Sequence, residues 1–293
     1  MVVEEPSTQV PATVACSERL KRYPQDVLWD IAPNDPMYLT AQGDQDRTYV
    51  GHARVMLDCI RAAMIAAKKP TAERILDLPS GHGRVLRLLR AEYPQAELTA
   101  CDIKPDAVEF CAEKFSATPV YGKEDLKEVE LPHRYDLIWC GSLLTHLDQD
   151  LWTEFLDFFD DALEVGGLLV VTFAGRHIAA AIEDKSTALG LSEAFEDDEV
   201  RLDYLRTYAR DGFAYIEYPT PPEHRQANNE PSCYGLTLAK PSWVLRLLEQ
   251  RKGLRVVSLS EGRWGAQDVL GLVRADVSFP PTLKYDLPVG AWR

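Results

Sequence analysis

Between residues 73 and 175 the chain alternates short apolar runs with longer stretches whose apolar positions recur every three or four residues. The runs ERILDL (73–78), AELTACDI (96–103), ATPVYG (117–122), YDLIWCG (135–141) and GLLVVTFAG (167–175) predict strands. Between them, GRVLRLLRAEYP, KPDAVEFCAEKFS and DLWTEFLDFFDDALEV carry helical spacing, the first closed by Pro94, the second opened by Pro105, the third stopped by Gly166 and Gly167. Strand and helix in this rhythm predict a parallel sheet covered on both faces. Upstream, VGHARVMLDCIRAAMIAAKK places Met56, Leu57, Ile60 and Met64 on one face of an amphipathic helix. Downstream, KPSWVLRLLEQ predicts a helix, and LRVVSLSE and AQDVLGLVRA predict an antiparallel hairpin joined through GRWG.

The rhythm breaks between 176 and 233, where an acidic, helical-looking stretch ends in the polar loop PTPPEHRQANNEP. The pattern divides the chain into a tail and helical cover (1–70), a nucleotide-binding core (71–175), a helical insert with a lid loop (176–233), and the last part of the core with its hairpin and tail (234–293). Pro, Ser, Thr and Glu near the start predict mobility in about the first 15 residues.

The chemistry concentrates in ILDLPSGHGRVLRLL (75–89), where an acid, Asp77, precedes a turn at Gly81 and Gly83 that opens a helix. A nicotinamide-binding loop places a third glycine where Leu86 stands, and a carboxylate beside a pyrophosphate opposes binding. A sulfonium nucleoside reverses that logic: its ammonium suits Asp77, its carboxylate suits loop amides, and Asp102 at the end of the next strand suits both ribose hydroxyls. These segments, with LTACDI and YDLIWCGSLLTHL, resemble the class I S-adenosylmethionine-dependent methyltransferases. The resemblance implies a doubly wound, seven-stranded, mostly parallel sheet whose last strand is antiparallel, and S-adenosylmethionine as cofactor, leaving S-adenosylhomocysteine. It places Asp77, Pro79, Gly81, Gly83 and Arg84 at the methionine end, Asp102 and Ile103 at the ribose, Cys140 and Gly141 beside the reacting methyl, and Tyr38, with Tyr49 or Gly51, in a cover over the site.

For a base that takes a proton from the acceptor, His146 in CGSLLTHLDQD comes first, with Asp148 or Asp150 raising its basicity. His224, beside Arg225 in the lid loop, and His177 after the fifth strand follow. Trp264, Gln267 and Asp268 have the composition of a polyol-holding surface, and His82 is read as a loop filler. The acid runs DQD and EAFEDDE read as solvated helix faces, so magnesium, which some methyltransferases use, is not part of the expectation.

A net charge of −14 without a basic run disfavours nucleic acid, as does the absence of a Pro-Cys pair or an [ND]-P-P-[YF] run. No stretch is apolar enough to span a membrane, and the N-terminus has no signal-peptide pattern. Six cysteines without a C-x-x-C pair read as free thiols of a cytoplasmic protein. The expectation is therefore an O-methyltransferase acting on a hydroxyl of a small polar, saccharide-like or natural-product acceptor, with homo-oligomerisation left open. N- or C-methylation of a natural product or protein, and cofactor binding without turnover, stand as alternatives.

Overall fold

The computed structural model describes residues 24, 26–41, 43–186, 191–220, 231 and 233–276. After a single helical turn at Pro36–Leu39 comes the long helix α1 (Gln45–Ala66), begun by Asp44, whose carboxylate accepts from the Arg47 amide at 3.1 Å. The core then runs β1 (Arg74–Asp77), α2 (Leu86–Glu92), β2 (Glu97–Asp102), α3 (Pro105–Phe115), β3 (Thr118–Tyr121), β4 (Tyr135–Cys140), α4 (Gln149–Ala162) and β5 (Leu163–Phe173). The insert contributes α5 (Arg176–Glu183), α6 (Asp198–Asp211) and β6 (Phe213–Glu217); just beyond it come β7 (Gly235–Ala239), α7 (Pro241–Glu249), β8 (Leu254–Trp264) and β9 (Gln267–Arg274).

Seven strands form one sheet in the order β3-β2-β1-β4-β5-β9-β8, with β9 antiparallel to both neighbours and the other pairings parallel. The chain winds outward from β1 in one direction to β3 and in the other from β4 to β5. The β1/β4 boundary is therefore the topological switch point, where such sheets open a ligand crevice at their carboxyl ends. The hairpin turn is Gly265–Ala266, both at positive φ (53° and 66°), so Gly262 and Trp264 belong to β8 and not to the turn.

The β1 run looks continuously apolar because alternate residues enter opposite layers. Ile75 joins Met56, Leu57, Ile60 and Leu86 beneath α1 and α2, whereas Leu76 joins Trp152, Leu156 and Phe159 beneath α4. Each such fully buried side chain contributes about 1.5–3 kcal/mol.

Two expectations need correction. Gly166 and Gly167 do not cap α4, which ends at Ala162; they lie inside β5, where the register slips between Tyr135↔Leu163 and Leu137↔Leu168. Gly166, at φ 80°, absorbs that bulge. The insert is also not wholly helical. Gly212 at φ 82° ends α6, and the apolar segments on either side of the lid loop pair as the separate antiparallel sheet β6–β7. The acid-rich DDE opening of α6 is a helix start: Asp197 caps it, and Asp198 pairs with Lys185 and Arg201.

Candidate active site

The glycine loop leaves β1 at Asp77 and is tied down by the Leu78 amide on the Trp139 carbonyl and the Ser80 amide on the Cys101 carbonyl, both 3.0 Å. Gly81 (φ 49°) and Gly83 (φ 75°) adopt the left-handed region. A Cβ at Gly83 would lie 2.4 Å from the Phe115 ring, so the glycine also permits close packing of α3.

Asp102 stands across the loop. One carboxylate oxygen accepts the Gly81 amide at 2.8 Å and the other the Lys104 amide at 3.0 Å. Burial pushes this carboxyl up, and the two amides oppose the shift. Each oxygen keeps a second lone pair, which is what two neighbouring ribose hydroxyls require. Asp102 lines a cavity of about 280 Å³ with Pro79, Ile103, Gly122, Leu126, Leu143 and Leu147. An acid at the rim and apolar walls behind it suit a nucleoside, sugar outward and base inward.

Asp77 is 1% exposed, and neither of its carboxylate oxygens makes a well-formed hydrogen bond among the described residues, the Leu86 amide giving only weak relief. Burial, reinforced by the Asp102 charge, pushes its carboxyl well above the usual range. An acid kept in this state beside a glycine loop, its burial only partly offset by the Arg84 charge, is complementary to a further cation. The observed residues thus fit S-adenosylmethionine: Asp77 toward the ammonium, Asp102 toward the ribose, and the apolar cavity toward the adenine.

The N-terminal cover packs on this loop, held there by Arg87 and Asp35, which were not singled out from the sequence, and by His82. Arg87, 1% exposed, donates from Nε to the Gly83 carbonyl (3.0 Å), and through its terminal nitrogens to the carbonyls of Asp30 (3.0 Å) and His82 (3.2 Å). Asp35 accepts from the Tyr49 hydroxyl at 2.7 Å. His82, read as a filler, lies 3.3 Å from the Asp106 carboxylate and 3.9 Å from that of Asp35, joining loop, α3 and cover. Tyr38 meets the edge of Tyr49 and donates to Asp46, on the outer side of the cover; Gly51 lies on α1.

At the carboxyl end of β4 the side chain of Cys140 points into the core under α4, so only its backbone faces the crevice. Gly141 is hemmed in by Trp139, whose ring lies 2.7 Å from where a Cβ would be. Ser142 follows at φ 59°, held by its amide on Thr172 Oγ1 (2.8 Å) and by the Gln267 amide on its hydroxyl (3.1 Å). Gln267 in turn accepts from Thr172 Oγ1 at 2.7 Å.

His146 follows β4 in a short 3₁₀ turn. Its Nδ1 lies 2.9 Å from the Gly235 carbonyl, and its ring stacks on Tyr234 at 4.5 Å. A carbonyl only accepts, so Nδ1 carries the hydrogen and Nε2 the lone pair. Burial holds the imidazolium pKa below its usual value, keeping the ring neutral and basic at Nε2 near pH 7. Asp148 does not serve it. That carboxylate caps α4 through the Leu151 amide (2.9 Å) and accepts from the Cys233 thiol (3.4 Å), so the Gly235 carbonyl takes the orienting role expected of the acid.

Trp264, Gln267 and Asp268 do not form one polyol surface. Trp264 packs in the α1 layer, Gln267 belongs to the Ser142 network, and Asp268 is fully buried with its carboxylate on the Gly262 amide at 2.9 Å. Burial pushes Asp268 up to about 6. His177 is exposed beside Gly262, and His224 and Arg225 lie outside the described residues. The five described cysteines are free thiols; Cys16 lies outside the described residues. Among the described residues no three His, Cys, Asp or Glu side chains converge as a metal site would need, and no helix is long and apolar enough to cross a membrane.

Residues 76–169 match the family model of a methyltransferase domain. Among curated proteins the chain is similar to the malonyl-[acyl-carrier protein] O-methyltransferase of Anoxybacillus flavithermus, 36% identical over 130 residues, 44% of this chain and 49% of that protein. It is also similar to the Acetivibrio thermocellus protein of the same name, 37% identical over 65 residues, 22% of this chain and 23% of the other. The matched region thus spans about half the length of the first relative and a quarter of the second. Among solved structures, an S-adenosylmethionine-dependent methyltransferase from Clostridium acetobutylicum superposes with a TM-score of 0.50 at 14% identity, covering 76% of this chain and 92% of the other. At that identity the likeness is one of fold.

Proposed function

We propose that the chain, whose residues 76–169 match the family model of a methyltransferase domain and whose sheet has the fold of an S-adenosylmethionine-dependent methyltransferase, methylates an oxygen of a small or carrier-borne acceptor. The observation that carries this reading is the pair of unpartnered oxygens on buried Asp77, beside the glycine loop and across from Asp102. When bound, S-adenosylmethionine supplies an electrophilic methyl on a positive sulfur. The chain's own contribution is alignment and proton removal. Asp77 and Asp102 anchor the two ends of the nucleoside at the β1/β4 switch point, so that the backbone of Gly141 and Ser142 faces the reacting centre. His146, with Nδ1–H fixed on Gly235, offers Nε2 as the base for a hydroxyl acceptor.

Isothermal titration with S-adenosylhomocysteine tests the cofactor half of the proposal. Asp102→Ala is expected to weaken binding by about 1–3 kcal/mol, the usual loss for charged hydrogen bonds; an unchanged dissociation constant removes the ribose assignment. For the acceptor half, methyl-labelled cofactor is presented with hydroxyl-bearing small molecules and, in a parallel arm, with malonyl-loaded acyl carrier protein. The second arm tests the acceptor carried in the relatives' names. His146→Ala separates the arms. With a hydroxyl acceptor, turnover is expected to fall about 10²–10⁴-fold while S-adenosylhomocysteine affinity holds. An acceptor that is already an anion has no proton to lose, and turnover is expected to stay within a few-fold. Full activity of His146→Ala on a hydroxyl acceptor removes it as the base.

A further inference from the structure

Among the described residues five other than glycine hold a positive φ: Lys68, Ser116, Ser142, Lys185 and Ala266. Lys68, Ser116 and Lys185 stand just past the ends of α1, α3 and α5, and Ala266 makes the hairpin turn. Ser142 has no such duty. It follows β4 at φ 59°, half-buried at the carboxyl edge of the sheet. A serine costs more in this conformation than a glycine would, and such strain persists where the surroundings over-determine it, as they do at functional sites.

The surroundings are a closed ring of hydrogen bonds, and the ring fixes the direction of each. The Ser142 amide donates to Thr172 Oγ1 at 2.8 Å, so that hydroxyl must send its own hydrogen elsewhere. Thr172 is fully buried, and the Gln267 carboxamide oxygen at 2.7 Å takes that hydrogen. The Gln267 NH₂ then faces Ser142 Oγ at 3.1 Å. Turning the amide over would leave the Thr172 hydrogen buried and unbonded. Ser142 Oγ is therefore an acceptor within the ring, and its own hydrogen points out of it. Thr145 Oγ1 lies 3.4 Å away, beyond the roughly 2.5–3.0 Å of a good O–H···O bond, and itself donates to the Ser142 carbonyl at 3.1 Å. Asp77 and Asp102 stand on β1 and β2, to one side of β4, whereas Thr172 and Gln267 flank Ser142 from β5 and β9 on the other. In-line transfer needs the acceptor on the face of the methyl opposite the sulfur, which is this second side.

Resting on the cofactor and acceptor reading above, we propose that the Ser142 hydroxyl, held as a donor by Gln267 and Thr172, selects an oxygen acceptor over an amine. A hydroxyl oxygen has two lone pairs. One accepts from Ser142, the proton goes to His146 Nε2, and the other pair bonds the methyl carbon while sulfur keeps the electrons of the bond that breaks. A carboxylate oxygen also has a pair to spare. A neutral amine nitrogen has one lone pair, and a hydrogen bond from Ser142 occupies the pair that must attack. Gln267 touches no substrate in this scheme; it is a positioning residue that sets the polarity of Ser142.

The test runs each acceptor of the labelled-methyl assay beside the amine that replaces its reacting oxygen; phenol beside aniline, both neutral at pH 7, is the first pair. The full chain carries one of four substitutions. Ser142→Gly removes the hydroxyl and suits φ 59°, so melting and S-adenosylhomocysteine affinity are expected to match the parent. Its kcat/KM on the oxygen acceptor is expected to fall about tenfold, mainly through KM, and the acceptor's affinity for the S-adenosylhomocysteine complex with it, while the amine loses nothing. Ser142→Asn and Ser142→Asp have nearly the same size, and both residues tolerate the left-handed region, but only asparagine donates. The first is expected to restore the oxygen acceptor to within about threefold and the second to leave it as poor as glycine does. Gln267→Glu, once ionised, accepts from Ser142 and reverses it, so the oxygen acceptor should be lost increasingly as pH rises relative to the parent. An unchanged oxygen-to-amine ratio in Ser142→Gly, or rescue by aspartate equal to that by asparagine, overturns the inference and leaves oxygen methylation standing. Transfer to no oxygen acceptor by the unaltered protein overturns both.

Discussion

Asp77→Asn is expected to make the cofactor-free protein more stable and the cofactor complex much weaker. A carboxyl that is 1% exposed with two unpartnered oxygens is held neutral by burial, so its folded pKa lies above its unfolded value of about 3.9. The folded state therefore binds more protons than the unfolded one. Stability falls as pH rises through the unfolded pKa, by about 1.4 kcal/mol per unit, until the folded pKa is reached. Asparagine has no proton to give up and escapes that slope. Parent and variant should melt alike near pH 4, and the variant should be the more stable at pH 7, the gap widening as pH rises above the unfolded pKa. Binding runs the other way. Pairing with an ammonium requires the ionised acid, so S-adenosylhomocysteine affinity of the parent rises with pH and binding releases a proton, readable by calorimetry in buffers of different ionisation enthalpy. The variant loses the ion pair, about 2–3 kcal/mol or 30- to 150-fold in dissociation constant. A variant that melts below the parent at pH 7, or that binds as the parent does, removes Asp77 from the site.

This trade explains why the candidate site stands out in the sequence at the level of acids and glycines. A carboxylate at a strand end costs stability unless a ligand answers it, so Asp77 and Asp102 stand out from the apolar runs that carry them. The seven-stranded sheet was equally legible, because period-two burial and helical spacing fix which segments enter which layer. The insert's own sheet was not. FAYIE and GLTLA are five residues each, separated by a long polar loop, and their pairing is non-local. The reading of Asp148 beside His146 failed for a related reason. Two residues of separation suggested contact, but the start of α4 turned the acid to its own helix amide. Trp264 and Asp268 looked like one surface because only their spacing was visible; the alternation of β8 and β9 sends them to different layers.

Arg87 is the residue that local pattern hides most completely. In LRLLR an arginine reads as part of a solvated helix face, yet it is 1% exposed. Its nitrogens satisfy the Gly83 and His82 carbonyls of the glycine loop and the Asp30 carbonyl of the cover, while its plane lies 5.3 Å from the Tyr49 ring centroid and 5.1 Å from that of Phe115. It is the post on which the cover is hung over the glycine loop. Arg87→Met keeps much of the volume and removes every donor. The His82 and Asp30 carbonyls then lose their donor, each at about 1–3 kcal/mol if water does not reach it, whereas the Gly83 carbonyl keeps the backbone amide of residue 87 at 3.1 Å. Partial hydration of the cover-side carbonyl brings the expected loss to about 2–4 kcal/mol in denaturant unfolding. The damage should also be directional: limited proteolysis is expected to cut first within 24–49, and S-adenosylhomocysteine should protect those bonds in the parent far better than in the variant. A loss under 1 kcal/mol with an unchanged cleavage pattern would mean that the cover is held by Asp35, Tyr49 and His82 alone.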